Sequence, residues 1–238
     1  MSDIPSFPKS IGLLLYPGFE ALDAVGPIEA LNCLCNFPGY EDLKLSIISR
    51  SLEPIALGDR DFLRAQKYLP THTFDTAPQL DMLLIPGGMG SIDFLPGTES
   101  NNVDDYIEYV RKAYGGYDSY KPLQYAFSIC NGAILLAKAG VLDGRKATTN
   151  KSGFALIAQS GPKAHWVARA RWVVDGNVWT TSGVSAGADG MLAFMEARVP
   201  KDVLKSVVGV MEWRRVSSKE DDPFAEWHGV EDVLPKQK

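Results

Sequence analysis

Histidine and cysteine are scarce in this 238-residue chain, at three residues each. The histidines (His72, His165, His228) stand apart from one another and from the cysteines in sequence, so they read as structural or surface groups, and no metal site is expected. Cys33 and Cys35 are one residue too close for a CxxC redox or zinc pair. An odd number of cysteines with no secretory start points to free thiols in a reducing, cytoplasmic setting. There is no apolar run of about 18 residues, so no membrane span is expected. Positive charge is not in excess either: the formal net charge is −5, which argues against nucleic acid or an anionic membrane as partner. The glycines form neither a P-loop nor a dinucleotide fingerprint, so no nucleotide or other cofactor is expected.

What remains is an ordinary globular composition, 45% hydrophobic and 22% charged. Apolar runs and helical periodicities alternate along the chain. IGLLLY (11–16), LKLSIIS (43–49), the run opening DMLLIPGGMG (81–90) and LQYAFSI (123–129) read as strands. Residues 101–114, 131–140, 151–160, 186–199 and 201–213 read as helices, with Gly140 ending the second of them. Residues 19–34 are also helical in character, but Gly26-Pro27 predicts a break and a second helix starting near Pro27. The stretch 51–80 reads as short strands and loops, and 165–183, with Asp175-Gly176, as a β-hairpin. No linker divides the chain, so one domain over 1–238 is expected, with its core at about 10–213 and residues 216–238 as a surface tail. This order implies an α/β fold: a mostly parallel sheet with helices on both faces and an added hairpin.

In such folds the site lies at the carboxyl ends of the strands. Three loops fall there: PGFEALDAVGP, PGGMG and SICNG. In SICNG, Cys130 sits where a strand turns sharply into a helix, among the small or polar Ser128, Asn131 and Gly132. A turn of that kind exposes its central side chain to backbone N–H groups and a helix start, which favours a thiolate nucleophile. The plainer reading is a small buried hydrophobe. Asp23, in an apolar stretch, is costly if buried alone. It is either a cap or solvated, or it shares a proton with Cys130, with the sulfur as thiolate and the acid protonated, or with that proton in rapid exchange. Glu29 is the fallback partner for Cys130, and Glu20 reads as solvated or capping. Gly87 and Gly88 let the backbone approach a ligand, and the Gly88 and Asn131 amides are candidates for an oxyanion-type pocket; a plain turn is the alternative. Trp166, Trp172 and Trp179 read as packing or dimer surface.

Together, LLLYPGFEALDAVGPIEAL, LDMLLIPGGMG, SICNGAILLAKAGVLDGRKATTNK and TSGVSAGADGMLAF resemble the ThiJ/PfpI superfamily, in its isonitrile hydratase-like branch, over residues 10 to 200. The resemblance implies a flavodoxin-like sandwich, usually a homodimer, that acts on a small molecule without a cofactor. It implies Cys130 as nucleophile and Asp23 as the facing acid. Gly88 and Asn131 match positions whose amides flank the reacting centre, with Gly87 beside them, and Ile129 is the apolar residue before the nucleophile. Asn131 departs from the threonine or histidine of relatives. Asn150, in TTNK, departs from their histidine, which removes one candidate imidazole. The function implied is addition of water to an isonitrile. The alternatives are chemistry on reactive carbonyls, as in glyoxalases and deglycases, or a redox-sensing or binding domain without catalysis.

Overall fold

The computed structural model describes residues 6–94 and 103–236. Seven strands form its main sheet: β1 (Ser10–Leu14), β2 (Lys44–Ser49), β3 (His72–Thr73), β4 (Met82–Ile85), β5 (Tyr125–Ser128), β6 (Trp172–Asp175) and β7 (Val178–Thr181). Their order across the sheet is β6-β7-β5-β4-β1-β2-β3. Every pairing is parallel except β6–β7, a hairpin turned at Gly176, whose φ of 61° suits glycine. The four residues of β4 are all buried, as an interior parallel strand requires, and β1 is buried beyond Ser10. Five longer helices cover the sheet: α1 (Ala21–Leu34), α2 (Asp104–Gly115), α3 (Ala133–Lys138), α4 (Ser185–Glu196) and α5 (Lys201–Met211). They pack as two groups, α1 with α4 and α5, and α2 with α3. Gly140 ends the turn after α3 in the left-handed region, φ 79°. Residues 101 and 102 of the 101–114 helix lie outside the described residues.

Three expectations need correction. Helix α1 runs through Pro27 without a break. Proline removes the bond to the Asp23 carbonyl, at a cost of about 3 kcal/mol. Burial of Ala24, Gly26, Pro27, Ala30, Leu31 and Leu34 on one side of the helix offsets it, with Gly26 lying against Ala188 of α4. The predicted hairpin is shorter than 165–183: His165–Trp166 pairs in parallel with Lys146–Ala147 in a separate two-stranded sheet. The predicted helix 131–140 begins instead as a 3₁₀ turn, Cys130–Gly132, and is α-helical only over α3. The three tryptophans pack in the core, the first of the two roles expected of them, with Trp179 stacked on Phe127 at 6.0 Å. In the 51–80 region, Ile55–Ala56 pairs with Lys67–Tyr68 and a short helix spans Asp61–Arg64.

The tail is exposed along most of its length but is anchored to the domain. Asp222 and Ala225 are buried. Lys219 accepts a hydrogen bond from the Arg171 N–H at 2.7 Å, Val233 bridges to Trp166, and Asp232 accepts from the Ala168 N–H at 2.8 Å. Asp222 lies 3.2 Å from the buried ammonium of Lys151. The three protons of that ammonium go to Thr148 Oγ1, Thr149 O and Ala170 O at 2.7, 3.1 and 2.9 Å, so Asp222 Oδ2 meets its charge without an aligned hydrogen bond. Burial pushes the Lys151 ammonium down to about 8, and the Asp222 carboxylate works against that loss.

Removing one member of such a pair strands the other as a buried charge. Asp222→Ala is expected to lower unfolding free energy by about 3 kcal/mol in urea titrations at pH 7. A loss below about 0.5 kcal/mol would mean that the tail contributes nothing to the fold.

Candidate active site

The loops after β1, β4 and β5 meet at the carboxyl edge of the sheet. Cys130 follows β5 with φ 56°, a left-handed conformation costly for a residue with a Cβ. Three anchors hold it there. Its N–H donates to Ser182 O at 2.9 Å, its carbonyl accepts from Thr149 Oγ1 at 2.8 Å, and the Gly132 N–H donates to Ile129 O at 2.9 Å. A Cβ at Gly132 would lie 2.4 Å from Ile85 O, so the chain can turn this tightly only with glycine there.

Asp23, in the first turn of α1, is fully buried beside this elbow. Its Oδ2 accepts the Gly87 N–H at 2.8 Å. Its Oδ1 is buried with no hydrogen-bond partner, although the Cys130 thiol is close enough to favour the carboxylate. Burial raises Asp23 from 3.8 to about 7; the Gly87 N–H works against the rise, Glu20 adds to it and the Cys130 thiol opposes it. Burial, with Asp23 second, pushes the Cys130 thiol well above its ordinary value. The N–H groups of Asn131 and Val184 and the Asn150 side chain pull the other way without prevailing. This reverses the expected resting state. The shared proton sits on sulfur, and Asp23 is the group that titrates near neutrality. The helical contribution anticipated at Cys130 is small because α3 has only six residues.

The two glycines of PGG do not supply the expected pocket. The Gly88 N–H is spent on Asn131 Oδ1 at 2.7 Å, while Asn131 Nδ2 donates back to Gly88 O at 3.2 Å. Gly88 has φ 134°, and a Cβ there would lie 2.3 Å from Gly18 O; one at Gly87 would lie 2.1 Å from Asn131 Oδ1. Both glycines thus permit close approach of protein to protein. The donors that reach the sulfur are Asn131 N–H, Val184 N–H and Asn150. Ser152 Oγ and the Gly153 N–H hold Asn150 Oδ1 at 2.6 and 3.1 Å, which leaves Nδ2 for the sulfur. Ile129 is buried against Gly187 of α4. Glu29 lies beside Cys33, 3.7 Å from its sulfur, and is not brought to Cys130.

A cavity of about 220 Å³ is lined by Asn150 and Val184, which act on the Cys130 sulfur, although neither Cys130 nor Asp23 itself lines it. Arg171, Ser185, Phe224 and His228 also line it, and sequence reasoning assigned none of them, nor Val184, to the site. The Arg171 guanidinium is buried and paired with Asp189, its Nε donating at 2.8 Å, and its Nη2 donates to Ser185 Oγ at 3.1 Å. The run TSGVSAGADG was a usable signal for Val184, because it starts a helix just past a strand. Among the described residues, no group of three or more His, Cys, Asp or Glu side chains could hold a metal, and no helix is long and apolar enough to cross a membrane.

The DJ-1/PfpI family matches residues 9–198. The chain belongs to that family. It is 29% identical over 203 residues to the isonitrile hydratase of Pseudomonas putida, covering 85% of this chain and 78% of the relative. It is 21% identical over 214 residues to the HTH-type transcriptional regulator GbdR of Pseudomonas aeruginosa, covering 90% of this chain but 53% of that protein. Among solved structures, a ThiJ/PfpI family protein from Pseudomonas syringae superposes with TM-score 0.69 at 26% identity, over 91% of this chain and 80% of that one. Drosophila melanogaster DJ-1beta shares the fold, with TM-score 0.63 at 21% identity, over 87% of this chain and 98% of that one. The flavodoxin-like α/β architecture of these family structures is the one found here.

Asp23 is neutral below its folded value and carries an unfavourable buried charge above it. Because the folded value, about 7, exceeds the ordinary 3.8, its contribution to stability is fully present below pH 3.8 and is lost as pH rises through 7. Asp23→Asn is therefore expected to stabilise the protein at pH 8 by roughly 2 kcal/mol or more, with no gain at pH 4. Thermal unfolding of both proteins at the two pH values checks this; equal differences at both would place Asp23 ionised throughout.

Proposed function

We infer that the protein is a cysteine-dependent enzyme that adds water to an isonitrile to give an N-substituted formamide. The observation that carries the reading is the buried pair: a strained Cys130 beside an Asp23 carboxylate that titrates near 7. An acid tuned to working pH is the best proton carrier for both directions of transfer. The similarity to an isonitrile hydratase supports the same reaction.

An isonitrile, R–N≡C, offers an electrophilic terminal carbon and no leaving group. The Cys130 sulfur attacks that carbon while Asp23 removes the thiol proton, so no free thiolate has to persist in the resting site. Asp23 returns the proton to the same carbon, giving the thioimidate R–N=CH–S–Cys130. Water then adds to that carbon, its proton passing by way of Asp23 to nitrogen. The C–S bond breaks, sulfur recovers a proton, and R–NH–CHO leaves. The atoms sum to one isonitrile and one water. The Asn131 and Val184 N–H groups, with Asn150, stabilise charge on the sulfur as it appears and as it departs. Gly87 holds Asp23, and Gly88 with Asn131 holds the loop that carries them.

The similarity to GbdR favours a second reading, in which the domain binds a small molecule without turnover. Chemistry on reactive carbonyls is a weaker fit, since Asn150 gives the pocket no imidazole at that position. The resemblance also carries a homodimer, and the odd number of cysteines a reducing, cytoplasmic setting. A monomer in sedimentation velocity would remove the first of these.

Incubation with cyclohexyl isocyanide, followed by mass spectrometry, is expected to show catalytic formation of N-cyclohexylformamide. Cys130→Ala should abolish it, and Asp23→Asn should reduce kcat by a factor of about 10² or more. No product from wild type would reject the hydratase reading. Product from Cys130→Ala at the wild-type rate would reject the nucleophile.

A further inference from the structure

The family match ends at residue 198, yet the cavity beside Cys130 is completed by residues beyond it. Phe224 and His228 face the same space as Asn150 and Val184, two groups that also act on the Cys130 sulfur, which lies buried behind them. They are not core residues: His228 is exposed, and Phe224, 37% exposed, leans edge-on against Trp227 with ring centroids 5.1 Å apart. Their positions are nonetheless fixed from both sides. Upstream, Lys219 is tied to the Arg171 N–H and Asp222 to Lys151. Downstream, Val233 bridges to Trp166, Asp232 accepts from Ala168, and the Lys236 N–H donates to Pro162 O at 2.8 Å. A short helix, Phe224–Trp227, spans the interval between these anchors. A segment clamped at both ends, with an aromatic ring and an imidazole turned to the cavity and no role in the dyad, is built as a wall.

We propose that residues 219–236 form the substrate-selecting wall of this site, in which Phe224 and His228 set how large an apolar group the reacting carbon can carry. The cavity is also lined by the polar Asn150, Ser185 and Arg171. Phe224 therefore supplies the apolar face against which a substrate's alkyl or aryl group rests, while the reacting end points to Cys130. The substrate class follows: a small molecule with one compact apolar substituent, limited by a space of about 220 Å³. This rests on the reading of Cys130 as the reacting nucleophile, and the test separates the two.

Cys130 is alkylated in parallel with iodoacetamide, which is small, and N-phenylmaleimide, which is bulky and apolar; peptide mass spectrometry gives the rate at Cys130, with the partly exposed Cys35 as internal control. Phe224→Ala and His228→Ala are expected to raise the ratio of bulky to small reagent rates at Cys130 by about fivefold or more, with no change of that ratio at Cys35. His228→Trp should lower it. Melting curves confirm that each variant is folded. An unchanged ratio in all three variants would overturn the wall. A wild-type Cys130 inert to both reagents while Cys35 reacts would overturn the nucleophile and the wall with it. A raised ratio together with no formamide from any isonitrile would keep the wall and reject the hydratase reaction alone.

Discussion

Everything at this site follows from placing one carboxylate where water cannot reach it. Asp23 enters the interior on α1, a helix that continues through its proline and packs against α4. Once there it has one strong donor, the Gly87 N–H, and one buried oxygen without a partner. A carboxylate so incompletely satisfied is destabilised, which lifts it to about 7 and converts an ordinary acid into a base that works at neutral pH. The same burial keeps the neighbouring sulfur protonated. The dyad is thus a store for one proton with two homes, and a ligand that draws on the sulfur moves the proton to the acid. The Gly88 amide and the Asn131 side chain are spent on each other, which holds this geometry.

Much of the arrangement was legible in the sequence, for a definable reason. Parallel strands bring their carboxyl ends to one edge, so a chemically unusual loop after each of three strands implies a single site without knowledge of side-chain packing. Cys130 and Asp23 came together on that logic. The directions of individual N–H groups were not legible. The Gly88 amide looked free from its loop, but Asn131, 43 positions later, claims it. The Val184 amide came into reach only because β7 places the start of α4 beside the elbow. The protonation state was misjudged for the same reason: a helix start is local and readable, whereas burial depends on the whole fold and outweighs it. Pro27 shows local propensity yielding to packing. Asp221 and Asp222 are indistinguishable by composition, yet only the second is buried.

The division between what is shared and what is particular has a physical basis. The elbow, the acid and the donors lie within the part of the chain that matches the DJ-1/PfpI family, where sheet and helices dictate their positions. The wall of the cavity comes from the C-terminal segment, tied down by a buried ion pair and a strand bridge that the reaction does not use.

The central claim is the location of the shared proton, and the carboxyl carbon of Asp23 reports it most directly. With ¹³C-labelled aspartate, assigned by its disappearance in Asp23→Asn, the Asp23 resonance would be followed from pH 5 to pH 9. A midpoint close to the value of about 7, displaced when Cys130→Ala removes the thiol, is the expected result. A resonance that stays at the ionised position down to pH 5 would show that burial does not tune this acid. One that stays protonated up to pH 9 would show that Asp23 is no base at neutral pH and that the sulfur must find its proton acceptor elsewhere.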